Sequence, residues 1–513
     1  MLRIWGVPLF ICDHKHSPFG RKQIFLPGMT PEVLSTYEAV IGLEVHAQLQ
    51  TNSKLFCADP AGFGAAPNTH ISPITLAHPG TLPVLNKAAV EMAVKLGLAC
   101  GCTIETTNYF ARKHYFYPDL PKGYQLSQHT TPICKGGLVK ITTSAGERWV
   151  QLNRIHLEED AGKSMHDHYA DFSVVDYNRA GVPLVEIVTE PDLNTAEEAA
   201  AYFTVLRQLV RTLGVCGGNM EEGSLRCDAN ISVRRKGETK LGTKVEVKNL
   251  NSIRFLRKAI AHEIERMVQL LEAGQPIRQQ TRSFDASTET TFAIRDKEEA
   301  NDYRYMPDPD LPPFIITPEY IEQVRQSLPE LPDERKQRLM QQYALPEYDA
   351  VLLSVDVAFC DYFEAAVKET PAAKQVANWM LGPVKSHLNE TGTEMDAFAL
   401  QPACLAAVIA LVEAGSVSYT AAVQKLFPAL LQNPATEPAA LAAQLNLLQE
   451  RDADTLRPLV EAVLATMPDK VQEYKKGKKG LMGLFVGAVM KRSNGKADPR
   501  LLNELLNKLL SQS

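Results

Sequence analysis

Seven prolines crowd one short stretch of this chain: Pro307, Pro309, Pro312, Pro313, Pro318, Pro329 and Pro332. Proline fixes its own φ, lacks an N–H and pushes the residue before it away from helix. Such a run cannot lie inside a helix or a central strand, so it marks a linker or a domain edge. Before it, from Tyr37 to about Pro313, strand-like and helix-like segments interleave without a regular βαβ repeat. That pattern predicts an α+β domain on a mainly antiparallel sheet. After it the chain turns alanine-rich and all-α. A chain of 513 residues needs more than one core. The division read from these shifts is an α+β cradle domain over 37–313, a helical linker domain over 314–395 and a helical tail domain over 396–513. Residues 1–36 read as a disordered extension or a mis-called start, with Met29 as the alternative beginning. Leu2–Cys12 is apolar but carries Arg3 and Pro8 and lacks a signal-peptide cleavage pattern.

Local signals place the elements. Val40–His46 is strand-like, and Asn86–Leu98 reads as a helix with Asn86 as its N-cap. Leu138–Thr143 and Arg148–Leu157 flank Ser144-Ala145-Gly146-Glu147, the pattern of a β-hairpin. Thr195–Leu213 has a Thr195/Glu198 capping box and stops at Gly214, and Ser252–Ala273 stops at Gly274. Near the end, Leu481–Met490 reads as a short apolar helix on which Gly483 and Gly487 would admit a close neighbour. Asp498-Pro499 opens a last helix with leucines along one face.

Bulk composition excludes several classes. At 45% hydrophobic and 22% charged residues the chain is not globally disordered. No apolar run reaches the roughly 18 residues that span a bilayer, so no membrane partner is expected. Nine scattered cysteines without disulfide spacing fit a reducing compartment, the cytoplasm. The net charge is −6, so any contact with nucleic acid has to come from a local patch. Val471–Ser513 holds nine basic and three acidic residues, which leaves the remainder at −12. Lys475, Lys476, Lys478, Lys479, Lys491 and Arg492 therefore stand as candidate RNA contacts, against the ordinary reading of a solvated charge run.

Five motifs carry candidate chemistry. In Ile41-Gly42-Leu43-Glu44-Val45-His46 a strand would place Glu44 and His46 on one face, an acid beside an imidazole. In His156-Leu157-Glu158-Glu159-Asp160 three consecutive acids repel each other, and a divalent cation or basic ligand would relieve that repulsion. Ala111–Tyr124 interleaves cations with aromatic rings, a surface for phosphates and stacked bases. Leu225–Ile231 alternates so that Arg226, Asp228 and Asn230 share one face. Asp176–Pro191 sets Asp176, Asn178 and Arg179 against an apolar run with one lone acid, Glu186, that reads equally as a buried partner for Arg179 or as a site residue. Gly162-Lys163-Ser164 is not a phosphate-binding P-loop, because Leu157 stands where the motif requires glycine.

Taken in order, these segments resemble the B subunits of the aspartyl/glutamyl-tRNA amidotransferases. Asp176–Pro191 is similar to that family's signature, and Lys248-Asn249-Leu250-Asn251-Ser252 matches as well. The resemblance runs from about Tyr37 to the C-terminus. It implies an enzyme that uses ATP and Mg2+ to phosphorylate the side-chain carboxylate of misacylated Glu-tRNA(Gln) or Asp-tRNA(Asn). Ammonia then displaces the phosphate. The resemblance also implies a tRNA-gripping tail and two protein partners, an amidase (the A subunit) and a small C subunit. By that likeness Glu44, His46 and Glu159 ligate Mg2+, although strand alternation would instead set Glu158 beside His156. Lys113 and Arg179 are candidates for neutralising phosphoryl charge, with Arg226, Asp228 and Asn230 lining the same cradle and Lys113 and Asn230 meeting the nucleotide. Many relatives carry four cysteines for a structural zinc. Here Cys57 is accompanied by Asp59, Ser72 and Thr75, so no zinc is expected at these positions.

Overall fold

A computed structural model describes residues 30–165, 173–296, 303–449, 453–493 and 496–512, with two short paired strands at Arg3–Ile4 and Val7–Pro8. Apart from that pair, residues 1–29 of the reading for 1–36 lie outside the described residues, while 30–36 are ordered rather than disordered. Thr30 caps a one-turn helix, Pro31–Ser35, that leads into the first long strand.

The chain forms two compact units, Met1–Leu331 and Pro332–Ser513. The division falls at the far end of the proline run, not at Pro313. The reason is packing: Phe314–Ile315 pairs with Thr107–Asn108, and Leu311, Ile316 and Val324 are buried in the first unit's core.

The first unit is built on one large sheet. Its strands are β1 (Tyr37–Gln48), β2 (Ala111–His114), β3 (Tyr124–Ser127), β4 (Leu138–Thr143), β5 (Gly146–Glu159) and β6 (Pro183–Thr189). They continue with β7 (Leu225–Arg235), β8 (Val245–Lys248), β9 (Gln280–Asp285), β10 (Thr290–Asp296) and β11 (Met306–Pro307). Across the sheet the order is β10-β9-β8-β7-β1-β6-β5-β3-β2-β11, with β4 folded as a hairpin onto β5. Along that path β8 and β9 run parallel and the other pairs antiparallel, in keeping with the mainly antiparallel sheet expected.

Alternation gives the sheet a dry face and a wet one. Ile41, Leu43, Val45 and Ala47 of β1 are fully buried, as are Val185, Ile187, Ala229 and Ile231. They pack in one core with α1 (Lys87–Ala99), α2 (Ala196–Thr212) and α3 (Ile253–Glu272). The predicted caps form at Asn86 and Thr195, and Ser252 caps its helix too, each accepting a first-turn N–H. Glu198 reaches back to the N–H of Asn194 rather than that of Thr195.

The second unit is helical and has two cores. One runs from Leu339 to Ala442, the other from Leu456 to Leu510. The expected boundary at 395 cuts the first of these, because Met395, Phe398 and Leu400 pack with Phe363, Trp379 and Ile409. Gly483 and Gly487 also differ from expectation. They lie on the helix Met482–Arg492, but a Cβ on either would meet nothing within 4 Å, so no described neighbour approaches there.

Candidate active site

The wet face of the sheet carries the polar residues of several motifs at matched heights. Cross-strand register sets Arg226 opposite His46, His46 opposite Glu186, and Glu186 opposite His156. Two residues along, Asp228 stands opposite Glu44. Four strands distant in sequence thus deliver one row of side chains.

Two imidazoles and two carboxylates meet at its centre. His46 Nε2 lies 3.7 Å from Glu158 and 3.6 Å from Glu186, while His156 Nε2 lies 3.6 Å from Glu158 and 3.3 Å from Glu186. The ligating atoms of His46, Glu158 and Glu186 all fall within 4.8 Å of one another. Burial opposes ionisation of His156, His46 and Glu186, yet the neighbouring charges win. Burial would lower His156, but Glu186 and Glu158 raise it to about 9. The same competition raises His46. Burial would raise Glu186, but the two histidines hold it well below the usual carboxylate range. The Nδ1 atom of His156 is buried without a hydrogen-bond partner. Two carboxylates and the His46 imidazole this close fit a divalent cation.

The structure divides the expected residues. His46 is in the cluster, but Glu159 is turned away from it. Successive strand residues point to opposite sides, so Glu158 faces His46 while the Glu159 carboxylate pairs with Lys122 and accepts the Leu126 N–H at 3.0 Å. Glu44 is adjacent but separately engaged, accepting the Asn230 amide at 2.8 Å. Burial, then the charges of Glu186, Asp228 and Glu246, raise its pKa. Lys113 lies close enough to the cluster to feel its charge: burial would lower its ammonium, but Glu158, Tyr305 and Glu186 keep it raised.

Arg179 is not the partner of Glu186. Its guanidinium donates to the carbonyls of Ala161 (2.8 Å) and Gly162 (2.6 Å), and its Nε lies 3.8 Å from Asp160. Arg226 also reaches Asp160, at 2.8 Å, and leaves its Nε buried without a partner. Asp228 accepts from Lys248 at 2.6 Å. Lys475, Lys476, Lys478, Lys479, Lys491 and Arg492 are all exposed in the second unit, far along the chain from this cluster.

The turn that opens β6 holds the cluster's edge. Gly181 has φ +83°, and an added Cβ would touch the Lys54 stem at 3.4 Å. Lys54, fully buried, donates to the carbonyls of His70 (2.7 Å) and Tyr177 (3.2 Å). Burial lowers its pKa, which Cys57 and Asp59 partly offset. Around it Thr75 donates to Asp59, and Cys57 Sγ lies 3.5 Å from Thr75 Oγ1.

His156 was not singled out from the sequence as a site group, and Glu186 was left open between a buried partner for Arg179 and a site residue. The signal for His156 was its i, i+2 spacing to Glu158. That for Glu186 was a charge inside an apolar strand. Nothing local ties either to His46.

Residues 39–322 match the GatB/GatE catalytic domain and residues 361–510 match the GatB domain. The chain is 47% identical to the aspartyl/glutamyl-tRNA(Asn/Gln) amidotransferase B subunit of Thermodesulfovibrio yellowstonii, over 93% of this chain and 100% of that one. It is 50% identical to the protein of the same name from Anaeromyxobacter dehalogenans, over 93% and 99%. The counterpart in Nitratidesulfovibrio vulgaris is 47% identical over 92% and 99%. With near-complete coverage at this identity, and both domains matched in order, the chain belongs to the family of aspartyl/glutamyl-tRNA(Asn/Gln) amidotransferase B subunits, a family of glutamine-dependent ligases.

Proposed function

We propose that this chain activates the side-chain carboxylate of Glu-tRNA(Gln) or Asp-tRNA(Asn) by phosphorylation from ATP. A carboxylate oxygen attacks the γ-phosphorus, the bond to the ADP oxygen breaks, and an acyl phosphate forms. Ammonia then attacks the carbonyl carbon and phosphate leaves, giving the amide. The activation is needed because oxide is a prohibitive leaving group and phosphate is a good one. The ammonia comes from a partner amidase, the A subunit, held with a small C subunit, in the cytoplasm. The tRNA is gripped by the exposed basic residues of the second unit.

The observation that carries this reading is the row Arg226–His46–Glu186–His156 with Glu158 and Lys113 beside it. Glu158, Glu186 and His46 are the residues that would hold Mg2+, which supplies positive charge to the phosphates when bound. Glu158 replaces Glu159 in that role. Lys113 and the unpartnered Nε of Arg226 offer donors to transferring phosphoryl oxygens. Asp160 holds the Arg226 head in place, and Asn230 and Lys248 orient Glu44 and Asp228. Arg179 acts at one remove, fixing the loop that carries Asp160.

The test uses the assembled enzyme with ammonium salt in place of glutamine. Transfer of γ-phosphate to misacylated tRNA is expected, and Glu186→Gln should lower its rate by about 100-fold or more. Undiminished phosphoryl transfer in folded Glu186→Gln would sink the assignment.

A further inference from the structure

A pair of stacked rings borders the cluster and takes no part in the chemistry above. His129, just beyond β3, lies parallel to Tyr305, just before β11, with ring centroids 3.9 Å apart and 8° between planes. His129 is exposed and Tyr305 half-buried, so the stack has a wet end and an anchored end. Tyr303 meets Tyr305 edge-on at 6.2 Å, and the Lys113 ammonium sits 4.9 Å over the Tyr303 ring. Lys113 in turn feels Glu158 and Glu186. Two short contacts therefore link the stack to a cation beside the metal-binding candidates. That is within the reach of one nucleoside triphosphate laid from base to terminal phosphate.

A flat aromatic pair at the rim of a phosphoryl-transfer site is suited to a purine. Bases stack on aromatic rings through their π-faces, and an imidazole over a phenol extends that surface. A pair needed only to pin β11 to the β3 loop would have no reason to keep one ring in solvent.

We propose that His129 and Tyr305 form a stacking platform for an adenine ring. The inference rests on the carboxylate-activation reading. Two molecules in that reaction carry adenine: ATP and the 3′-terminal adenosine of the tRNA. The path to Lys113 favours ATP.

The experiment uses the assembled amidotransferase with His129→Ala, His129→Phe, Tyr305→Ala and Tyr305→Phe. Binding of etheno-ATP is followed by its fluorescence without turnover. Inorganic tripolyphosphate serves as the base-free control, and KM is measured separately for ATP and for misacylated tRNA. His129→Ala and Tyr305→Ala should weaken etheno-ATP roughly 10-fold or more, the phenylalanine variants should retain most of the affinity, and tripolyphosphate should not distinguish them. A rise in KM for tRNA alone, again rescued by phenylalanine, also supports the platform and assigns its adenine to the tRNA end. If folded His129→Ala, an exposed substitution, moves neither affinity, the platform is overturned. An enzyme that binds etheno-ATP through these rings yet transfers no phosphate to the tRNA would refute the activation reading and leave the platform standing.

Discussion

At the scale of single residues, Lys54 shows how a charge can be kept in a dry place. Its ammonium is fully buried, and burial lowers its pKa, yet two carbonyls and a threonine hydroxyl receive its protons. It ties the 54–75 loop to Tyr177 in the turn that starts β6. The thiol of Cys57 and the side chains of Asp59 and Thr75 close the same cluster by hydrogen bonds. Lys54→Met keeps the stem but removes the donor to the His70 carbonyl, a loss of about 1–3 kcal/mol, while the Tyr177 carbonyl keeps the Ala180 N–H. Urea unfolding of the assembled enzyme, followed by a probe in the first unit, should show that loss. Gly181 is a second such position. With φ +83°, Gly181→Ala should cost about 1–2 kcal/mol by the same measurement.

At the scale of elements, α3 is clamped to the sheet by a buried acid. Glu263 is fully buried and receives Arg266 at 2.8 Å, Arg282 at 2.9 Å and the Thr291 hydroxyl, joining α3 to β9 and β10. Burial would raise its pKa, but Arg266, Thr291 and Arg282 lower it. A carboxyl with a depressed folded pKa stabilises the fold above its unfolded value, about 4.3, and loses that contribution as pH falls through the folded value. Glu263→Gln should therefore destabilise the enzyme at pH 7 and flatten the acid limb of its stability profile. Glu263→Ala, which strands two arginines, should cost about 3–5 kcal/mol. A thermal melt between pH 3 and 7 checks both.

The elements were legible because their signals are local. Asn86, Thr195 and Ser252 announced helix starts, and the alternation of Leu225–Ile231 announced a one-sided strand. The glycines of Met482–Arg492 misled because spacing suits close packing without requiring it. Which helix face meets a neighbour depends on residues elsewhere. The boundary at 395 failed for a similar reason. A loop between helices looks alike whether it ends a core or, as at Phe398 and Leu400, contributes to one.

At the scale of the whole molecule, charge is unevenly shared, with a basic C-terminal segment on an otherwise acidic chain. Lys475, Lys476, Lys478, Lys479, Lys491 and Arg492 remain exposed after folding. Phosphate contacts release counterions, so tRNA binding should weaken linearly in log–log terms with salt. Removing Val471–Ser513 should make that slope shallower, by roughly 0.7–0.9 for each lost contact. An unchanged slope would assign the RNA contact to another surface.

Local periodicity and capping were enough for the α+β and all-α division and for the one-sided strands that present Glu44, His46, Arg226 and Asp228 on one face, and the resemblance of the motifs, taken in order, pointed to the family. They could not say which acids meet the histidines; that choice belongs to the folded sheet. Glu158 and Glu186 come together because β1 lies between β6 and β7 while β5 lies beyond β6, in registers that set His46 opposite Glu186 and Glu186 opposite His156. Strand alternation offered Glu158, but only the pairing of distant strands could choose it over Glu159, because register is set by a buried face that no single segment contains.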